Sequence, residues 1–575
     1  MSISRRYFIG GVGALSFMGS ANQLFADEKP LLRIGVMTDT HIGPKKVSCG
    51  RVKLACQLFR KHGVDMMVNV GDLADLHYPT GYTAYRETID EVYEGIAAEN
   101  RPKEVFVYAA HDLFKYKGNP NRRLWIKDAT PAFADMQRLL GAKNGPYAQG
   151  SVKGFPYVVF PQSMEEGLDM GRCEKMLAEA VAANPGKPVF VFAHVSPYGT
   201  TRGGGGNKAK REMLNKYPQV VNISGHTHGT LADERAIWQG EFTSVSAGCL
   251  QNWGDRLVGN DAGRMDNYGA MVVEVFPSRI VFRRFDVRDG EEYHADDPWM
   301  IPWPFDPATA PYRPAGRKEK SPAPAFAAGA ALKVAPSGDD GGVSLTVPVA
   351  GGKLRPFLYY VRLEHLDQDG QWKPRGRRDF FGDAWQRPHE RPEKYELAVP
   401  GSYFDPGRKY RFRVFPANCW RKEGEPLEIE FTAPEPKVKP EVVWESTDPM
   451  KDCPFLAGLL GNKPMPLKDG FYKMGEGQSR LEFPDGVWKG GKGTKFRFVV
   501  DVHTIPEGKA WTMVLRNPEP LKNANGRIST PRGDSGSLRY VIDFRKGDES
   551  YYYYLLVREG GVGKIRFDYV RIERI

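Results

Sequence analysis

Histidines and carboxylates recur in this chain at the ends of short apolar runs. The densest case is Ser224-Gly225-His226-Thr227-His228-Gly229, which follows the β-branched run Val220-Val221-Asn222-Ile223. Such a run reads as a buried strand. Two histidines one residue apart on the turn leaving a strand can each aim a ring nitrogen into one crevice. Imidazole is the commonest metal-binding side chain, and the flanking glycines let the backbone bend tightly. Alone, the pair is equally two surface histidines.

Four further strand ends repeat the pattern. Arg33-Ile34-Gly35-Val36-Met37 runs into Thr38-Asp39-Thr40-His41, and Val68-Asn69-Val70 into Gly71-Asp72-Leu73-Ala74-Asp75. Val105-Phe106-Val107-Tyr108 ends at Ala109-Ala110-His111-Asp112, and Val189-Phe190-Val191-Phe192 at Ala193-His194. Open α/β sheets place their active sites in the crevice outside the carboxyl ends of the strands. Five strand ends carrying oxygen and nitrogen ligands point to a metal centre there.

The ordered series Asp-x-His, Gly-Asp, His-Asp, lone His and Gly-His-x-His resembles the calcineurin-like metallophosphoesterase family, over about residues 31–287. The resemblance implies two divalent or trivalent metal ions, Mn, Fe or Zn. It assigns Asp39, His41 and His228 to one metal, Asp72 to a bridge, and His194 and His226 to the other. It places His111 beside the substrate as general acid, with Asp112 behind it to orient the ring. The implied reaction is hydrolysis of a phosphate ester by a metal-bound hydroxide. One position departs: the family's Gly-Asn before the catalytic histidine is Ala109-Ala110 here. A methyl group can neither ligate a metal nor bind a phosphoryl oxygen, so the second metal is expected to be weak or absent. Asn119 and Asn121 follow in the next loop, but their spacing does not place them as a replacement. The alternative reading is an envelope- or glycan-binding protein with a degenerate, one-metal phosphoesterase domain.

Helical spacing of Val52, Ala55, Leu58, Phe59 and His62, closed by Gly63, joins the first two strands into a βαβ unit. Ile89, Val92, Tyr93 and Ile96 mark the next helix. Residues 113–150 form an insertion with Lys115, Lys117, Arg122, Arg123 and Lys127, which reads equally as a basic wall suited to a phosphate-bearing substrate or as a solvated loop. Gly203 to Gly206 read as a flap. The alternating runs 242–246, 270–276 and 280–285 are assigned to the second sheet. The expected fold is α/β, the resemblance implying a four-layer αββα sandwich over residues 30–295. Two all-β sandwich domains follow. Residues 296–329 are dense in proline and read as a semi-rigid linker. Period-two strands over 330–432 resemble a fibronectin III or Ig-like module. After a second linker, 433–440, residues 441–575 resemble a jelly-roll carbohydrate-binding module. There Trp488 and Trp511 are candidates for stacking on sugar rings, with a glycan or envelope surface as the partner, although such aromatics more often belong to a core.

The chain has 575 residues and a formal net charge of +11, spread without blocks. That length suits about two to four domains. A basic balance suits anionic substrates or surfaces, but charge this diffuse more often serves solubility, and no nucleic-acid motif is present. Residues 1–26 read as a twin-arginine signal peptide, with Ser4-Arg5-Arg6-Tyr7-Phe8-Ile9 ahead of a short apolar run. The expectation is an exported protein, periplasmic or extracellular, with no transmembrane segment when mature. Six cysteines lack any disulfide framework spacing and are expected to be packed thiols.

Overall fold

The computed structural model of the chain describes residues 28–575 apart from 44–47, 76–77, 118, 126–128, 163–167, 203–205, 252–267, 385, 387 and several stretches beyond Cys453, the longest being 458–464, 517–523, 530–535 and 546–553. The signal-peptide segment, His77, Trp488 and Gly203–Gly205 therefore lie outside the described residues, as do the side chains of 113–132 and Trp511.

In chain order the first strands are β1 (Leu32–Met37), β2 (Met66–Asn69) and β3 (Lys103–Phe106), then the hairpin β4 (Phe114–Lys117) and β5 (Asn119–Trp125). There follow β6 (Ala148–Val152), β7 (Phe155–Phe160), β8 (Val189–Ala193), β9 (Val220–Ser224), β10 (Ile237–Gln239) and β11 (Thr243–Ser246). The domain closes with β12 (Gly269–Val275), β13 (Arg279–Asp286), β14 (Glu291–Tyr293) and β15 (Trp299–Pro302). One sheet has the order β14-β13-β12-β1-β2-β3, with β15 on β13; the other is β10-β11-β9-β8-β7-β6. The runs at 270–276 and 280–285 thus belong to the first sheet, and only the run at 242–246 joins the second. The correction has a simple cause. Alternation defines a strand, but Val36 meets Met271 only after the chain has built a whole second sheet between them.

Alternate residues divide the layers. Ile34 and Val36 of β1 join Val68, Phe190, Phe192, Val221 and Ile223 in one core between the sheets. Met37 and Met67 instead pack outward with Val52, Ala55 and Phe59 of the helix Cys49–His62 and Tyr85 and Ile89 of the helix Tyr78–Val92. Gly35 is required on that face, since a Cβ there would lie 2.6 Å from the Phe59 ring. On the far side Phe160, Val189 and Val191 pack on Cys173 and Leu177 of the helix Met170–Ala182. The four-layer αββα arrangement follows from these three cores.

The proline-rich segment is docked rather than free. Trp299 and Ile301 point inward from β15, and Trp303 donates its indole N–H to Gly186 O at 2.9 Å. Proline is tolerated because β15 is an edge strand.

Residues Lys333–Ser337, Gly342–Pro348 and Lys394–Val399 form a three-stranded sheet facing Leu358–Leu366, Trp372–Phe381, Lys409–Ala417 and Leu427–Thr432. The Tyr410 hydroxyl accepts from the Asp405 N–H five residues upstream at 2.7 Å, tying the preceding loop to the strand Lys409–Ala417. This second sheet continues into the last domain through a bridge between Gly376 and Arg539. Residues 433–440 are likewise tethered, Val438 N–H donating to Asp339 O at 2.9 Å. Cys56, Cys173, Cys249, Cys419 and Cys453 are buried free thiols. No described helix is long and apolar enough to cross a membrane.

Candidate metal centre

The loops after β1, β2, β3, β8 and β9 converge, and their backbones are held in an uncommon conformation. Among the described residues eight non-glycines have positive φ, and five are Asp39 (52°), His41 (42°), Asp72 (50°), His226 (69°) and His228 (50°). Such conformations cost of order 1–3 kcal/mol each and persist where surrounding structure enforces them. Hydrogen bonds do so here. The N–H groups of Asp39 and His41 donate to Gly71 O and Asp72 O, both at 3.0 Å, and Gly225 N–H donates to His194 O at 2.9 Å. Gly71 has φ 99°, and a Cβ there would stand 2.7 Å from Ala109 Cβ and 2.8 Å from His194 Nδ1.

The ligand atoms of Asp39, His41, Asp72 and His228 lie within 4.8 Å of one another, and so do those of Asp72, His194 and His226. Asp72 belongs to both groups, the position of a bridging carboxylate. Nε2 of His228 is 3.0 Å from Asp39 Oδ1, and Nε2 of His194 is 3.0 Å from Asp72 Oδ2. The His41 and His228 Nε2 atoms are 3.2 Å apart. Asp39 Oδ2 accepts from the Thr38 hydroxyl at 2.8 Å and from His226 N–H at 2.9 Å, which turns Oδ1 into the cluster. His194 Nδ1 sits 2.8 Å from Val70 O, so Nδ1 carries a proton and Nε2 is the nitrogen turned into the cluster. Asp39, Asp72, His41 and His194 are buried, whereas His226 is exposed at the open rim.

Burial alone would raise the Asp39 and Asp72 carboxyls, but His228 and His194 hold both below the usual carboxylate range. The imidazoles respond in kind. Burial opposes charge on His194 and His228, yet the adjacent carboxylates raise them to about 9 and about 11. His41 is lowered by its burial. Two carboxylates and four imidazoles packed this closely form a donor set of mixed oxygen and nitrogen suited to first-row transition cations. Asp39 Oδ1 and His194 Nε2, both buried, receive no properly directed hydrogen bond from the protein. The residues fit two cations.

His111 stands beside this set, its ring 4.5 Å from that of His41 at 87°, with its backbone N–H donating to Asp72 Oδ1 at 2.9 Å. Its Nδ1 is 2.9 Å from Asp75 Oδ1. Asp112, expected to orient this ring, does something else. Its Oδ1 accepts from Ala74 N–H at 2.8 Å and its Oδ2 from Ala109 N–H at 3.1 Å, so it staples two ligand loops together. Burial and the charge of Asp72 raise the Asp112 carboxyl to about 7. Sequence pattern alone does not mark Asp75 or Thr38 for these roles. The signal for Asp75 is its place three residues after Asp72 on one loop. Ala110 begins the short turn Ala110–Leu113 that carries His111.

Residues 32–230 match the family model described as calcineurin-like phosphoesterase, and this stretch is accordingly a calcineurin-like phosphoesterase domain. Among solved structures, a dimetal phosphatase from Danio rerio is 12% identical, with 46% of this chain and 99% of its own covered at a TM-score of 0.29. A purple acid phosphatase from yellow lupin (Lupinus luteus) seeds is 13% identical, covering 47% and 53% at 0.32. A low-affinity xylan binding module from Roseburia intestinalis is 12% identical, covering 24% of this chain and 88% of its own at 0.13. No curated protein matches the chain.

Proposed function

We propose that this protein is an exported, metal-dependent phosphoesterase in which His111 is the general acid. The observation that carries the reading is Asp72, shared by two ligand groups beside the His111–Asp75 pair. Asp39, His41, His228 and Asp72 would hold one cation, and Asp72, His194 and His226 the other. When bound, such cations stabilise charge building on phosphoryl oxygens and lower the pKa of water. Asp75 holds His111 Nδ1, leaving Nε2 to give a proton to the leaving oxygen. General acid help of this kind is worth roughly 10²–10⁴ in rate. The exposed edge at His226 leaves the centre open to substrate. Export rests on the twin-arginine pattern in residues 1–26.

The test is hydrolysis of aryl phosphate monoesters and diesters by the chain supplied with Mn²⁺, beside His226→Ala. Activity that disappears in the variant supports the reading. No turnover of either ester by metal-loaded protein argues for the second reading, a one-metal protein that binds a glycan through its last domain. Ala110, where the family has a ligating amide, is the observation that favours it.

A further inference from the structure

A cavity of about 290 Å³ lies where the phosphoesterase domain, the docked proline-rich segment and the first β-sandwich meet. Its walls include Arg202, Arg235, Arg317, Trp238, Tyr312 and Trp420, and none of the metal-centre residues. The walls are fastened. Asn418 Nδ2 donates to Pro322 O at 2.9 Å, and Arg317 donates to Ile237 O at 2.9 Å and Glu234 O at 2.8 Å. The cavity opens to solvent, so a small molecule can reach these walls.

Positive charge dominates its lining. Asp233 answers two of the cations at once, at 2.9 Å from Arg202 and in a fork from Arg235. Arg317 has Glu234 at 3.6 Å, a carboxylate already bonded to Arg284 at 2.8 Å and to the Trp299 indole at 2.9 Å. Three guanidiniums therefore face one shared carboxylate and a second that is engaged elsewhere. In agreement, burial and the neighbouring Arg235 and Arg421 push Arg202 down to about 10 despite Asp233. The Arg317 guanidinium also lies 5.1 Å from the Tyr312 ring and 4.9 Å from Trp420, an aromatic surface beside the cations. Guanidinium forks match planar and tetrahedral oxyanions, and aromatic walls take a ring.

We propose that this junction cavity binds a small aromatic oxyanion, its head among Arg202, Arg235 and Arg317 and its ring against Trp238, Tyr312 and Trp420. The probe is phenylphosphonate, titrated calorimetrically into the full chain with and without Mn²⁺, with inorganic phosphate as a second arm. Saturable binding to the metal-free chain is expected, unchanged in Asp39→Asn and weakened at least about tenfold in Arg317→Gln and in Trp420→Leu. Trp420 is only half-buried, so the second variant tests the site should Arg317→Gln lose its fold. Binding that requires Mn²⁺ or disappears in Asp39→Asn would assign the ligand to the metal centre and overturn the proposal. So would no saturable heat with either arm, or equal affinity for inorganic phosphate, which has no ring.

Discussion

His111 Nδ1 lies 2.9 Å from Asp75 Oδ1, which makes Asp75 the group that holds the ring, while the Asp112 carboxylate accepts from the backbone N–H groups of Ala74 and Ala109. The two aspartates separate by experiment. Asp75→Asn should lower kcat by about 10²-fold with little change in KM, and should move the limb of the pH–rate profile that reports the general acid. Asp112→Asn keeps one acceptor oxygen and turns an amide donor toward a backbone N–H. It should cost about 1–3 kcal/mol of stability and leave the shape of the profile alone. The reverse pattern would restore Asp112 as the orienting group. Ala110 makes a second residue-scale prediction. Restoring the family's amide with Ala110→Asn should raise metal content toward two per chain, read by elemental analysis, and raise turnover with it. If neither changes, the account of the second site is wrong.

At the scale of elements, strand ends are readable because a β-branched run followed by a charged or imidazole turn rarely marks anything else. What the runs do not reveal is partnership: β12 and β13 alternate like any strands, yet pair back to β1 rather than joining β8 and β9. Nor can loop spacing say which aspartate meets His111, since adjacency in sequence favours the one already engaged elsewhere. Lys210 is invisible for a related reason, a lysine reading as solvent-facing in any helix. In the helix Lys208–Leu214 it is 2% exposed, its ammonium on the carbonyl of Val195, next to ligand His194. Burial pushes its pKa down to about 7, with Cys173 opposing the shift. Because the folded value lies below the unfolded value of about 10.4, the unfolded chain binds more protons between those limits. Stability should therefore rise with pH from about 7 toward 10, by up to about 1.4 kcal/mol per unit from this group. Lys210→Met should lack that increment, and unfolding at pH 7 and pH 9 measures the difference. Equal pH dependence in both chains would mean that Lys210 keeps its charge when buried.

For the whole molecule, the question is where the phosphoesterase domain ends. Proline density places its boundary near Ala295, but the chemistry of the next residues contradicts a free linker. Trp299, Ile301 and Trp303 belong to the core between the two sheets, and Trp299 is 1% exposed with its ring 4.0 Å from the buried Arg284 guanidinium. Beyond them Tyr312 exchanges hydrogen bonds with Gln239, its N–H donating to Oε1 at 3.0 Å and its carbonyl accepting from Gln239 N–H at 3.0 Å. Losing one buried tryptophan typically costs about 3–5 kcal/mol, against a total of about 5–15 kcal/mol for a domain. A chain cut after Ala295 would lose two tryptophans and an edge strand, and would leave Arg284 and Glu234 uncovered. It should aggregate or melt far below a chain cut after Ser321, which keeps all of these contacts. The longer piece should unfold cooperatively and take up Mn²⁺. Thermal unfolding of the two pieces decides the matter: equal midpoints would show that residues 296–321 only lean on the domain, and the boundary would return to Ala295.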